Sequence, residues 1–233
     1  MDNTDSIQTT KKEESFNGFP KKTFQFLIEL KNNNNKVWFA THRNEYEEYL
    51  LKPLVNLVMD ISNEMMIIDA NLIHDKRAVS RIYADTRFSK NKSPYKTTMW
   101  VTFKRPRHDW QDSPAFFFEL SADSYRYGMG FYGASPATMR KYRETIEENP
   151  QAFATIISFL SKQNNFVIEG EKYKRHISNN LPENFQEWYQ RRNIYLVCNK
   201  KNDMVLESSE LSTKLICGFR ALKNIYYYFL SLK

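Results

Sequence analysis

The chain of 233 residues carries 34 Lys and Arg against 27 Asp and Glu, a formal net charge of +7, and is 41% hydrophobic and 15% aromatic. That length can bury a substantial core, as one large domain or two small ones. No apolar run reaches the roughly 18 residues of a membrane span, and the N-terminus lacks the basic and apolar regions of a signal peptide, so a cytoplasmic protein with no membrane partner is expected.

Residues 1–16 are polar and nearly free of aliphatic side chains, and are expected to form a disordered tail before a single domain over 17–233. Phe24, Leu27 and Ile28 at helical spacing predict a helix from about Lys21, ended by the asparagines at 32–35. A second helical region opens at Lys36 with Trp38 and Phe39. It continues through a stripe of Tyr46, Leu50, Leu54, Leu57, Val58, Ile61 and Met65. Pro53 removes a backbone donor from its middle and predicts a kink or boundary there. Trp38 and Phe39 read as core anchors and Arg43 as a solvated cation, while Trp38, Arg43, Glu119 and Tyr132 stand as candidate lining of a pocket.

After Asp75 the period changes to alternation. A strand is predicted with Val79, Arg81 and Tyr83 on one side and Ser80 and Ile82 on the other, then a loop from Asp85 to Pro94. Thr97 to Lys104 alternates again, with Met99, Val101 and Phe103 opposite Thr98, Trp100 and Thr102. Ala115 to Leu120 and Tyr125 to Phe131, joined by Ser-Ala-Asp-Ser, read as an antiparallel hairpin. Ser135-Pro136 starts a helix that runs to about Glu148, and Asn149-Pro150 starts another carrying Phe153, Ile156, Ile157 and Leu160. A short strand over Phe166 to Gly170, a short helix after Leu181-Pro182, a strand from Ile194 to Cys198 and a last helix from about Ser209 to Leu230 complete the chain. The sum is an α+β fold: a mainly antiparallel sheet of four or more strands packed against N-terminal and C-terminal helices.

Cys198 and Cys217 lie in apolar surroundings without CxxC spacing and read as buried free thiols. The four histidines, 42, 74, 108 and 176, are scattered singly, so no metal site is expected, and no cofactor can be named. Gly128-Met-Gly130-Phe-Tyr-Gly133 matches a dinucleotide fingerprint, but it follows a hairpin and not a parallel strand. These glycines are expected to let a strand bend or to let another backbone or a ligand approach closely.

The charge is concentrated. Between Lys76 and Arg107 ten Lys or Arg face one acid, Asp85, which leaves 24 basic and 26 acidic side chains in the remainder. At the centre of this segment lies Arg81 to Lys96, where Thr86, Ser89, Ser93 and Tyr95 add neutral donors and Phe88 and Pro94 stiffen the loop. The leading expectation is an anion site for a phosphate-bearing small molecule or for nucleic acid. In it Arg81, Arg87 and Lys96 grip, Tyr95 adds a hydroxyl, Lys90 and Lys92 steer, and Asp85 organises Arg81 or Arg87. One alternative is an enzyme acting on a small anionic metabolite, with Asp85, Glu119 or Tyr132 as acid or base. Another is a partner-binding scaffold in which Arg81, Asp85 and Arg87 form an internal ion-pair network. Oligomeric state does not follow from the sequence.

Phe19-Pro20 with Phe26-Leu27, the Asn34-Asn35 turn, Trp38-Phe39, Arg43 with Tyr46, and Pro53-Leu54 form a recognisable set. With Arg81-Ile-Tyr and Asp85-Thr-Arg-Phe-Ser-Lys-x-Lys-x-Pro-Tyr-Lys96 added, the set resembles domain-of-unknown-function family 2461, also described as conserved hypothetical proteins. The resemblance runs from about Phe19 to the C-terminus. It implies one mixed α+β domain and an uncharacterised activity, with no reaction, cofactor or catalytic residue to carry over. The resemblance implies a pattern that often has a basic residue where this chain has Ala84, which slightly weakens any argument that every cation of the cluster is needed.

Overall fold

Phe16 is packed: 1% exposed, it meets Phe19 edge-on at 5.2 Å, and its amide donates to Asp60 Oδ2 at 3.2 Å. It belongs to the core, so the tail expected over 1–16 does not take in Phe16, and residues 1–14 lie outside the described residues. These contacts come from a computed structural model, which describes residues 15–87, 90, 92–106, 110–131 and 133–233.

Helix α1 (Lys21–Asn32) buries Thr23, Phe26, Leu27 and Leu30. Asn35 caps helix α2 (Lys36–Thr41) by accepting from the Trp38 amide at 3.0 Å, the usual use of a short polar side chain at a helix start. Helix α3 (Arg43–Tyr46) runs through a π-helical turn (Glu47–Leu51) into helix α4 (Lys52–Ile68). The irregular turn falls where Pro53 predicts one. Proline has no N–H for the carbonyl four residues back, that of Tyr49, and the Thr23 hydroxyl of α1 donates to that oxygen instead. A local defect in one helix thereby becomes the fastening of another.

The sheet has five antiparallel strands: β1 (Met99–Phe103), β2 (Pro114–Leu120), β3 (Ser124–Phe131), β4 (Val167–Glu169) and β5 (Tyr195–Lys201), in the order β1-β2-β3-β5-β4. Helices α5 (Pro136–Glu148), α6 (Pro150–Ile157), α7 (Glu183–Tyr189) and α8 (Glu210–Leu230) complete the domain. Period-two alternation divides the sheet into two faces. One carries Met99, Val101, Phe103, Phe116, Phe118, Tyr127, Met129 and Phe131 against α8 and α4; Phe116 lies 4.9 Å from Tyr226, and Phe131 4.9 Å from Phe229. The other carries a cross-strand row of Trp100, Glu119, Arg126 and Asn199.

Two expectations change, for Val79 to Tyr83 and for Cys217, and that of close backbone approach at the glycines holds. Val79 to Tyr83 is not a continuous strand; only Val79 and Tyr83 form isolated bridges, to Val101 and Tyr95, and Ile82 is buried between exposed Arg81 and Tyr83. The segment still runs antiparallel to 94–101, through Ser80 N to Trp100 O (2.7 Å), Ala84 N to Pro94 O (2.9 Å) and Lys96 N to Ile82 O (2.8 Å). Cys198 is buried as expected, whereas Cys217 is exposed, because its position on α8 faces away from the sheet. Gly128 and Gly130 lie inside an antiparallel strand, where they admit the β5 backbone and cradle no phosphate: a Cβ on Gly128 would sit 1.9 Å from the Leu196 carbonyl oxygen.

Candidate functional site

An asparagine fastens Tyr95 to the helical layer. The Asn34 side-chain amide donates to Tyr95 O at 2.9 Å, and its Oδ1 accepts from Tyr95 N at 3.0 Å, so both backbone groups of Tyr95 are satisfied across 61 residues of chain. The Tyr95 ring stacks on Phe39 at 4.0 Å and lies 5.6 Å from Tyr83. Burial, and then the neighbouring Tyr83, push the Tyr95 phenol above its ordinary value. Tyr95 is thus first an anchor, 7% exposed. Replacing Asn34 by alanine is expected to cost about 1–3 kcal/mol by unpairing both Tyr95 groups. The checks are a denaturant melt and faster amide exchange over 92–98; unchanged exchange there would contradict the anchoring role.

Beyond Tyr95 the chain turns on its own charges. Asp85 accepts from the Arg87 amide (3.2 Å), Nε (3.0 Å) and Nη2 (2.7 Å). The Arg87 hydrogen bond holds the Asp85 carboxyl down to about 2. Asp75 and Arg77 repeat the same i, i+2 arrangement, with Nη2 to Oδ2 at 2.6 Å. Lys92 Nζ donates to Thr86 O at 2.8 Å, and Arg105 pairs with buried Asp69 at 2.9 Å. The run of cations is therefore largely committed to partners within the fold. Lys90 is exposed; Phe88, Ser89, Arg107, His108 and Tyr132 lie outside the described residues.

Two cations stand apart. Among the described residues Lys96 Nζ donates to Arg81 O at 2.7 Å, one of the three hydrogen bonds that an ammonium can donate. Its pKa is lowered, first by burial and then by the Arg81 charge. Among the described residues neither Arg81 nor Lys96 has a carboxylate within 4.0 Å. Lys96 lines a hollow of about 290 Å³ with Ala84, Asp85, Ser93, Tyr95, Thr97, Thr98 and Trp100.

Trp100 carries the hollow towards the sheet. Its ring lies 5.7 Å from Phe117 and 5.3 Å from the Arg126 guanidinium. Arg126 pairs with Glu119 at 2.6 Å and reaches Glu169 at 3.7 Å, and the Asn199 amide donates to Glu169 at 2.6 Å. Burial raises the Glu119 pKa more than Arg126 lowers it, with Glu169 adding to the rise. A second hollow, of about 350 Å³, is lined by Glu119, Ser124, Tyr125, Arg126, Asn199, Lys200 and Lys201.

The remaining candidate lining is dispersed. Trp38 stacks on His42 at 4.0 Å and packs on Phe26 at 5.7 Å, away from both hollows, and exposed Arg43 pairs with Glu47 at 2.9 Å. Asn34, Thr97, Thr98, Trp100 and Arg126 are the site residues that sequence reasoning passed over. Only the alternation that sets Trp100 opposite Met99 could have flagged one of them.

The model of a conserved hypothetical protein family, DUF2461, matches residues 22–228. No curated protein matches the chain. The matched stretch takes in the whole sheet, both hollows and the Asn34 anchor, so the chain is a member of the conserved hypothetical protein family DUF2461.

Proposed function

We propose that the hollow between Ala84 and Trp100 binds an anionic, phosphate-bearing ligand. The observation that carries this is the Arg81 and Lys96 pair: the Arg81 charge and burial lower the Lys96 pKa, neither cation has a carboxylate within 4.0 Å among the described residues, and Lys96 edges a hollow with Asp85, Ser93, Thr97 and Thr98. Placing like charges together costs free energy, and an anion between them removes that cost. The guanidinium fork supplies paired donors, the ammonium a point charge and the hydroxyls neutral donors, the mixture that phosphate oxygens use.

Arg87, Lys90 and Lys92 then have the lesser role of steering, since Arg87 and Lys92 are already engaged within the loop. Asp85 shapes the loop through Arg87. Its exposure weighs against the scaffold reading, in which this pair holds the fold together, because exposed ion pairs contribute little to stability.

Isothermal titration with pyrophosphate tests the reading. Arg81→Ala and Lys96→Ala are each expected to weaken binding about tenfold, as loss of one charged hydrogen bond does, and the double variant about a hundredfold. Asp85→Ala serves as the contrasting control and is expected to leave the melting midpoint unchanged. Affinity is expected to fall as pH rises through the Lys96 titration, which burial and Arg81 place below 10.5. A wild-type protein that binds no phosphate compound, or a double variant that binds as well as wild type, overturns the proposal.

A further inference from the structure

Lys96 and Trp100 line the same hollow, the one charged and the other aromatic. Four residues apart, their Cα atoms are at most about 14 Å from each other. Trp100 stands on the edge strand β1, on the sheet face turned away from α4 and α8, and is only half-buried. Its backbone is pinned through Ser80 N to Trp100 O at 2.7 Å and Trp100 N to Ser80 Oγ at 3.1 Å. Its indole is steadied by Phe117, inclined at 45°, and by the Arg126 guanidinium. A large ring fixed in place and left partly open beside an anion site is a stacking surface.

From this geometry we infer that the ligand carries a planar ring next to its phosphate. It is a nucleotide, free or as one unit of a single strand, with the phosphate between Arg81 and Lys96 and the base against Trp100. The inference rests on the anion reading above and goes beyond it by naming the ligand class. The volume agrees: about 290 Å³ lies at the small end of the roughly 300–1,000 Å³ typical of ligand sites, suited to one nucleotide unit and not to a large metabolite. Polar groups for a base edge follow Trp100 across the sheet, in the row of Glu119, Arg126 and Asn199.

The experiment compares pyrophosphate, ribose 5-phosphate, adenosine monophosphate, thymidine monophosphate and a five-residue oligothymidylate, by titration against wild type, Trp100→Ala and Trp100→Phe. Circular dichroism confirms that each variant is folded. The mononucleotides are expected to bind at least tenfold more tightly than ribose 5-phosphate. Trp100→Ala is expected to abolish that advantage while leaving pyrophosphate affinity within about twofold, and Trp100→Phe to keep part of it. Should Trp100→Ala fail to fold, Trp100→Phe and the ligand series still decide the matter.

Equal affinity for adenosine monophosphate and ribose 5-phosphate would overturn the nucleotide inference and leave the anion reading standing. Absence of binding by every phosphate compound overturns both. An oligothymidylate that binds more tightly than thymidine monophosphate, with a steep loss in salt, supports the inference and assigns a single strand as the source. A mononucleotide that binds at least as tightly supports it and assigns the free nucleotide.

Discussion

Replacing Asp69 by alanine is expected to destabilise the protein by roughly 3–5 kcal/mol, the usual cost of removing one partner from a buried charged network. Asp69, 9% exposed at the end of α4, accepts from the Tyr226 hydroxyl at 2.6 Å, from Arg105 Nε at 2.9 Å and from the Asn71 amide at 2.9 Å. One carboxylate thus ties α4 to α8 and to the chain that follows β1. Its loss takes from a mostly buried guanidinium and a buried phenol the carboxylate they share. Burial by itself would raise the Asp69 pKa, but the hydrogen bonds from Tyr226, Asn71 and Arg105 together outweigh it and set the carboxyl below its ordinary 3.8.

The sign of the linkage follows from that direction. With the folded pKa depressed, the stabilisation is complete above the unfolded value near 4 and drains away as pH falls through the folded one. Chemical denaturation of Asp69→Ala between pH 3 and 7 checks both statements. The variant's deficit is expected to be largest near neutrality and to shrink below about pH 4. A deficit independent of pH would mean that packing, not charge, is what Asp69 supplies.

A comparable loss, at least about 3 kcal/mol, is expected for Gly128→Ala. The added Cβ would lie 1.9 Å from the Leu196 carbonyl oxygen, and that atom is backbone of the paired strand, unable to rotate away. β3 and β5 would have to part at the centre of the sheet. Gly133→Ala is the internal contrast: apart from its chain neighbours, nothing among the described residues lies within 4 Å of its Cβ, and the change is expected to be neutral within about 0.5 kcal/mol. Urea melts of the two variants make the comparison. Equal effects would contradict the role of Gly128 in admitting the β5 backbone.

That contrast also marks where a sequence motif stops being informative. The glycine spacing fits a dinucleotide fingerprint, yet what surrounds Gly128 and Gly130 is set by β5, which lies more than sixty residues downstream. The charge cluster behaves the same way. Asp85 and Arg87 pair across two residues, so their pairing is legible locally, and the count begun at Lys76 left out Asp75, which engages Arg77. Arg105 meets Asp69 across 36 residues, and no local pattern announces it. An apparent patch of ten cations thereby contracts to the Arg81 and Lys96 pair and the exposed lysines around it.

The sequence by itself determined the α+β class, the β2–β3 hairpin, the starts of α5 and α6 at Ser135-Pro136 and Asn149-Pro150, the break at Pro53 and the position of the signature segment. These rest on periodicity, capping and turn chemistry, which act between residues a few positions apart. Only the tertiary structure decided that Ile82 and not Tyr83 turns inward, that Cys217 faces outward, that Asn34 fastens Tyr95, and that Trp100 stands half-open beside Lys96. Each of these depends on which element covers which face, a competition for buried area settled between segments far apart in the chain.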